Sequence, residues 1–166
     1  MSTLISFLMF CQALGAFVGA LTAIWSELAY VRALRDGTID VAERAHLRVI
    51  GNGLRFGMSL LLLASFGLVI VAYILHTTPQ PASTTSYWTS IALASLIIGI
   101  SWALSRGKIS FALGSAAVFT AWWFLTYLTL GWLPPFSFGS AVALYVVLAA
   151  IFYALFHYIR LFALPK

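Results

Sequence analysis

Five long runs of apolar residues, separated by short polar segments, set the pattern of this chain. They fall at about Leu4 to Tyr30, Leu54 to Leu75, Tyr87 to Ser105, Ile109 to Trp132 and Phe138 to Phe162. An α-helix needs about 18 or more apolar residues to cross a hydrocarbon core about 30 Å thick. A run that is apolar all round has no polar face to turn towards water. The pattern therefore predicts an all-α fold, a polytopic transmembrane helix bundle of five spans that forms one domain over residues 1–166.

The polar segments orient the bundle. Arg32 to Arg55 holds five of the nine basic residues and three of the four acidic ones. Arg106-Gly107-Lys108 joins the third and fourth runs and leaves room only for a tight antiparallel hairpin. By contrast, His76 to Ser86 and Gly131 to Ser137 contain no Lys, Arg, Asp or Glu. Every Lys and Arg, including Arg160 and Lys166, thus falls on one side, and an excess of these residues marks the cytoplasmic side of short loops. The expected topology has the N-terminus outside and the C-terminus in the cytoplasm. Met1 to Trp25 carries no charge and so lacks the positive start of a cleaved signal peptide, and it reads as an uncleaved first span. On the side opposite the cations, Tyr73, Tyr87, Trp88, Trp132 and Phe136 suit the headgroup level, where amphipathic rings anchor helix ends. After the Asp36-Gly37 break, Asp40-Val41-Ala42-Glu43 has the form of a capping box. It predicts a cytoplasmic helical extension over about 40–53 that continues into the second span, with Gly51-Asn52-Gly53 as its weak point.

Composition removes other classes. A hydrophobic share of 63% and a mean hydropathy of +1.03 stand well above the roughly 45–50% of a soluble domain. The formal charge of +5 sits at the ends of apolar runs, so it reports topology and not a nucleic-acid partner. Cys11 is the sole cysteine, which rules out an intrachain disulfide, and it reads as a small residue packed among helices.

Glu27 is the one acid inside an apolar run, and an intramembrane carboxylate needs a partner or a function. Counting depth along the runs gathers Glu27, Tyr30, Asn52, Arg55 and His157 near the cytoplasmic interface, with Arg55 as the expected neutralising partner. Arg44, Arg48 and Arg55 share one helical stripe that could face lipid headgroups or a protein partner. Gly15 and Gly19 form a GxxxG step suited to close helix packing, and Gly57, Gly67, Gly99 and Gly114 add further small positions. His46, His76 and His157 lie at different depths and at no i, i+4 spacing, so neither a metal site nor a haem is expected. Asp36 to Glu43 lacks the twelfth-position acid of a calcium loop. Polar residues of the spans such as Gln12, Ser26, Ser95, Ser101, Thr120, Thr126 and Thr129 are expected to bond between helices or back to carbonyls of their own helix, and no catalytic residue is singled out.

From Gly15-Ala16-Phe17-Val18-Gly19 through Ser26-Glu27 and Tyr30-Val31-Arg32 to Arg35-Asp36-Gly37, and on to Glu43 and the stretch from Gly57 to Gly67, the chain loosely resembles a group of small bacterial integral membrane proteins without an established activity. Similar chains often carry an Asp where Glu27 stands. The region is also distantly similar to small bundles of the copper-resistance and protoporphyrinogen-oxidase kind, but those place a His in the first span, and this span has none. The resemblance implies a bacterial inner-membrane location and brings no activity. The expected role is non-enzymatic, as an accessory or assembly subunit of a larger membrane complex, in contact with lipids and with a protein partner or further copies of itself. The alternatives are a small carrier or channel for a solute, proton or cation acting through Glu27, and a membrane enzyme or haem protein.

Overall fold

The computed structural model describes residues 2–36, 41–77, 80–134 and 137–163, with side chains over 3–32, 51–77, 80–134 and 137–162. Among these residues there are five α-helices: α1 (Ser2–Asp36), α2 (Val41–Ile74), α3 (Thr85–Ser105), α4 (Phe111–Thr129) and α5 (Phe138–Ala163). A single 3₁₀ turn, Pro81–Ser83, precedes α3. All five helices are long and apolar enough to cross a membrane. At 35 and 34 residues, α1 and α2 are each about 50 Å long and exceed a hydrocarbon core. Their apolar parts are Thr3–Arg32 and Gly51–Ile74. Helix α2 runs without a break through Gly51-Asn52-Gly53. The side chains of Asp40 and Glu43 in the capping box, and those of Arg44 and Arg48 in the basic stripe, lie outside the described residues.

Local chemistry places the helix ends. Thr84 and Ser110 accept hydrogen bonds from the backbone N–H groups of Tyr87 and Leu113, which starts α3 at Thr85 and delays α4 to Phe111. Three helices close in the same way, with one residue in the left-handed region and two reversed hydrogen bonds. At the end of α3 the residue is Gly107 (φ 64°), and Lys108 N–H donates to Ala103 and Gly107 N–H to Leu104. At the end of α4 it is Gly131 (φ 70°), with Trp132 donating to Tyr127 and Gly131 to Leu128. At the end of α2 the same position is held by His76 (φ 50°), with Thr77 donating to Ala72 and His76 to Tyr73.

The interior is built from small side chains and the outside from large ones. Half of the buried apolar residues among those described are alanines, for example Ala16, Ala20, Ala64, Ala116 and Ala121, so backbones can approach closely. Large apolar residues such as Phe10, Leu63, Ile151 and Phe162 point outward, as expected where the surrounding solvent is itself apolar. The GxxxG step of α1 is used within the chain: a Cβ on Gly15 would lie 2.7 Å from the backbone nitrogen of Leu61 and 2.8 Å from the carbonyl oxygen of Gly57. A Cβ on Gly19 would collide with the indole of Trp122. Helix α1 therefore packs on α2 along one side and on α4 along another. Helix α4 is central and also touches α3 and α5, whereas α2 and α3 meet over a short stretch only. Gln12 donates to Ser65 across the α1–α2 seam (2.9 Å), and Tyr145 of α5 donates to the Ala117 carbonyl of α4 (3.0 Å). Ser95, Thr120, Thr126 and Thr129 turn back to carbonyls of their own helices.

A left-handed conformation costs an L-residue with a Cβ about 1–2 kcal/mol, a cost that glycine escapes. His76→Gly is expected to stabilise the folded protein by about 1 kcal/mol, read as a higher unfolding midpoint in mixed detergent micelles. An unchanged or lower midpoint would mean that the imidazole compensates for the backbone.

Candidate functional site

The basic end of the bundle, where Arg55, Arg106, Lys108 and Arg160 lie, contains one closed polar site. Three helices supply it, each through two residues three or four positions apart and so on one face: Glu27 and Tyr30 of α1, Phe111 and Ser115 of α4, and Phe156 and Arg160 of α5. Arg160 Nη2 reaches both carboxylate oxygens of Glu27, at 3.0 and 2.7 Å, and donates to Ser115 Oγ at 2.7 Å. The Ser115 hydroxyl in turn donates a hydrogen bond to the Ala112 carbonyl (3.3 Å). Both charged side chains are close to nine-tenths buried.

Aromatic rings line the remainder. The guanidinium carbon lies 4.9 Å from the centre of the Tyr30 ring, 5.5 Å from that of Phe111 and 5.8 Å from that of Phe156. The rings of Tyr30 and Phe111 pack against each other at a tilt of 31°, with their centres 4.1 Å apart. The negative faces of aromatic rings attract a cation most strongly when water is excluded. The approach to Glu27 is end-on through a single nitrogen, and Nε of Arg160 has no acceptor among the described residues. What the arrangement does is hold three helices: a charge pair joins residues 133 positions apart, and a hydroxyl of the central helix completes it.

The expected cluster is brought together only in part. Glu27 and Tyr30 belong to the site, but the partner of Glu27 is Arg160 and not Arg55. The reason is the register of α1 against α2. Gly57 abuts Gly15 and Gly19, and Gly53 meets Thr22, so Arg55 is level with about residue 20 of α1, roughly 10 Å along the axis from Glu27. Arg55 and Asn52 are exposed, and neither bonds to Glu27 among the described residues. His157 is exposed on the far side of α5 and stacks on Tyr153 at 6.3 Å. Ser115, Phe111, Phe156 and the pairing role of Arg160 were not singled out from the sequence. The signal available was the recurrence of a polar or aromatic pair at i, i+3 or i, i+4 near the basic end of each of these three helices.

Elsewhere, Cys11 is half-buried and free. Among the described residues no three His, Cys, Asp or Glu side chains converge as a metal site would require. The indole nitrogens of Trp122 and Trp123 are buried without an acceptor among the described residues. Compared with known protein families, with characterised proteins and with solved structures, the chain has no match.

Removing one member of a buried ion pair leaves the other uncompensated, at a typical cost of about 3–5 kcal/mol. Arg160→Met is expected to lower stability in micelles by about 3 kcal/mol. Ser115→Ala, which removes one acceptor and leaves the carboxylate in place, should cost about 1 kcal/mol. Equal small losses from both variants would contradict this division of roles.

Proposed function

We propose that this chain is a non-enzymatic subunit of a larger membrane assembly, one that supports or scaffolds its partners and performs no chemistry of its own. The observation that carries this proposal is the engagement of Glu27. A carrier for protons or cations needs a carboxylate that can be reached and released, and here both oxygens are bound by an arginine that is itself boxed by three rings and a hydroxyl. Glu27 and Arg160 are committed to holding α1, α4 and α5 together. Helix α5 leaves Val147, Ile151, Leu155 and Tyr158 exposed along one face, a surface free for a neighbouring helix.

In this proposal the basic end faces the cytoplasm of a bacterial inner membrane and the N-terminus lies outside. Support comes from the placement of Arg55, Arg106, Lys108 and Arg160 at one end of the helices and of exposed Tyr73, Trp88 and Trp132 at the other. The continuation of α1 and α2 past their apolar parts extends the protein on the basic side, where a partner can reach it.

Purification in a mild detergent, followed by mass spectrometry of co-purifying proteins, is expected to give a partner in fixed ratio. The protein reconstituted alone in vesicles should show background proton and cation flux, with Glu27→Gln no different from the unaltered chain. A saturable flux that Glu27→Gln abolishes would overturn the proposal in favour of a carrier.

A further inference from the structure

Helix α2 packs on α1 and α3 packs on α4, and the short meeting of α2 with α3 leaves a cleft of about 410 Å³ between them. Its walls are Leu54 and Met58 of α2, Ile97 and Ile98 of α3, and Val118 and Trp122 of α4. From Gly51 to Ser59 the cleft follows α2 for about 12 Å, less than half of a hydrocarbon core, and it lies in the half nearer the basic end. Ile98 at its lip is half-exposed, so the cleft is accessible from the side of the bundle.

Three polar side chains line it, Arg55 and Ser101 nearer the basic end and Ser59 at the inner end. Arg55 is exposed and has no carboxylate partner among the described residues, because Arg160 takes Glu27. Immediately after Ser101, the ring of Trp102 carries two cations, with the Arg106 guanidinium at 4.6 Å and the Lys108 ammonium at 4.8 Å. A ring face attracts these charges without neutralising them. At the floor, Trp122 is fully buried, and its indole N–H has no acceptor among the described residues.

We infer that this cleft is a binding site for one anionic phospholipid, with the phosphate at Arg55 and an acyl chain between α2 and α3. Each alternative occupant leaves part of the site unmatched. A soluble anion would satisfy Arg55 and leave the apolar walls empty, whereas a hydrocarbon chain alone would fill the walls and leave the cation unbalanced. A lipid of zero net charge would bring a second cation towards Arg55, Arg106 and Lys108. The depth, less than half of the core, suits a lipid from one leaflet. The inference stands on the cleft and its charges and is independent of the subunit proposal.

The test is native mass spectrometry of the full chain in detergent, exposed to equal amounts of phosphatidylglycerol and phosphatidylcholine with distinguishable chain masses. One phosphatidylglycerol per chain should be retained in about fivefold preference, the scale expected for one cation near an anionic headgroup. Arg55→Gln should bring the two lipids close to parity. Ile98→Trp, at a half-exposed position outside the core, should fill the cleft and cause loss of the retained lipid with Arg55 intact. Glycerol phosphate should not displace the lipid. Equal retention of both lipids by the unaltered chain would overturn the inference. So would retention unaffected by either variant, or displacement by glycerol phosphate, which would indicate a headgroup site without a place for the chain.

Discussion

Within a bilayer, helices gain nothing by hiding apolar side chains from one another, since lipid tails are as apolar as leucine. What can decide the arrangement is close packing and the few polar groups that lipid cannot satisfy. Glu27 and Arg160 are such groups, and they lie on the first and last helices of the chain. Neither can be left unpaired at this depth without cost, so their meeting ties α5 to α1 beside the central α4. The rings of Tyr30, Phe111 and Phe156 shield the pair, and Ser115 fixes its position along α4. Helix α5 buries little else, which makes this pair and the Tyr145 bond to Ala117 its principal polar attachments among the described residues.

Close packing accounts for most of the remainder. Gly15 and Gly19 let α1 approach the backbone of α2 and the indole of Trp122, and alanines continue the seam on both sides. That register has a consequence for charge. It sets Arg55 above Glu27 and turns it to the α3 side, where it lines the cleft that α2 and α3 leave open. One arginine thus closes the interior while another stays available at the surface, and the difference follows from a seam of small residues several turns away.

The spans were legible because a hydrocarbon core imposes a length and a composition that few other structures meet, and the bundle's five helices match the five apolar runs. The end of α3 was legible at Gly107, and that of α2 lies one residue from the expected Leu75, although His76 and not a glycine takes the left-handed conformation there. The fourth run, by contrast, was carried to Trp132, past the Gly131 turn that follows the end of α4 at Thr129. The importance of Glu27 followed from its rarity in an apolar run. Its partner did not follow, because depth counting gives a coordinate along the membrane normal and says nothing about which helices are neighbours or in which register. Arg55 and Arg160 sit at similar counted depths, and only the Gly15–Gly57 approach separates them. His157 and Asn52 were grouped with Glu27 for the same reason, and both face outward. Gly99, expected to be a packing position, has nothing within 4 Å of where its Cβ would stand, since one chain does not reveal which small residues are inside.

The central claim is that Glu27 and Arg160 interact directly and hold α1 and α5 together. A double-mutant cycle measures this coupling with the least interference from packing, using Glu27→Gln, Arg160→Met and the combined variant, with unfolding free energies taken in one mixed-micelle system. Direct pairing predicts a coupling of about 2 kcal/mol or more, with the double variant less destabilised than the sum of the two single changes. Additive losses, with coupling below about 0.5 kcal/mol, would mean that the two charges act separately and that the helices are held by packing alone.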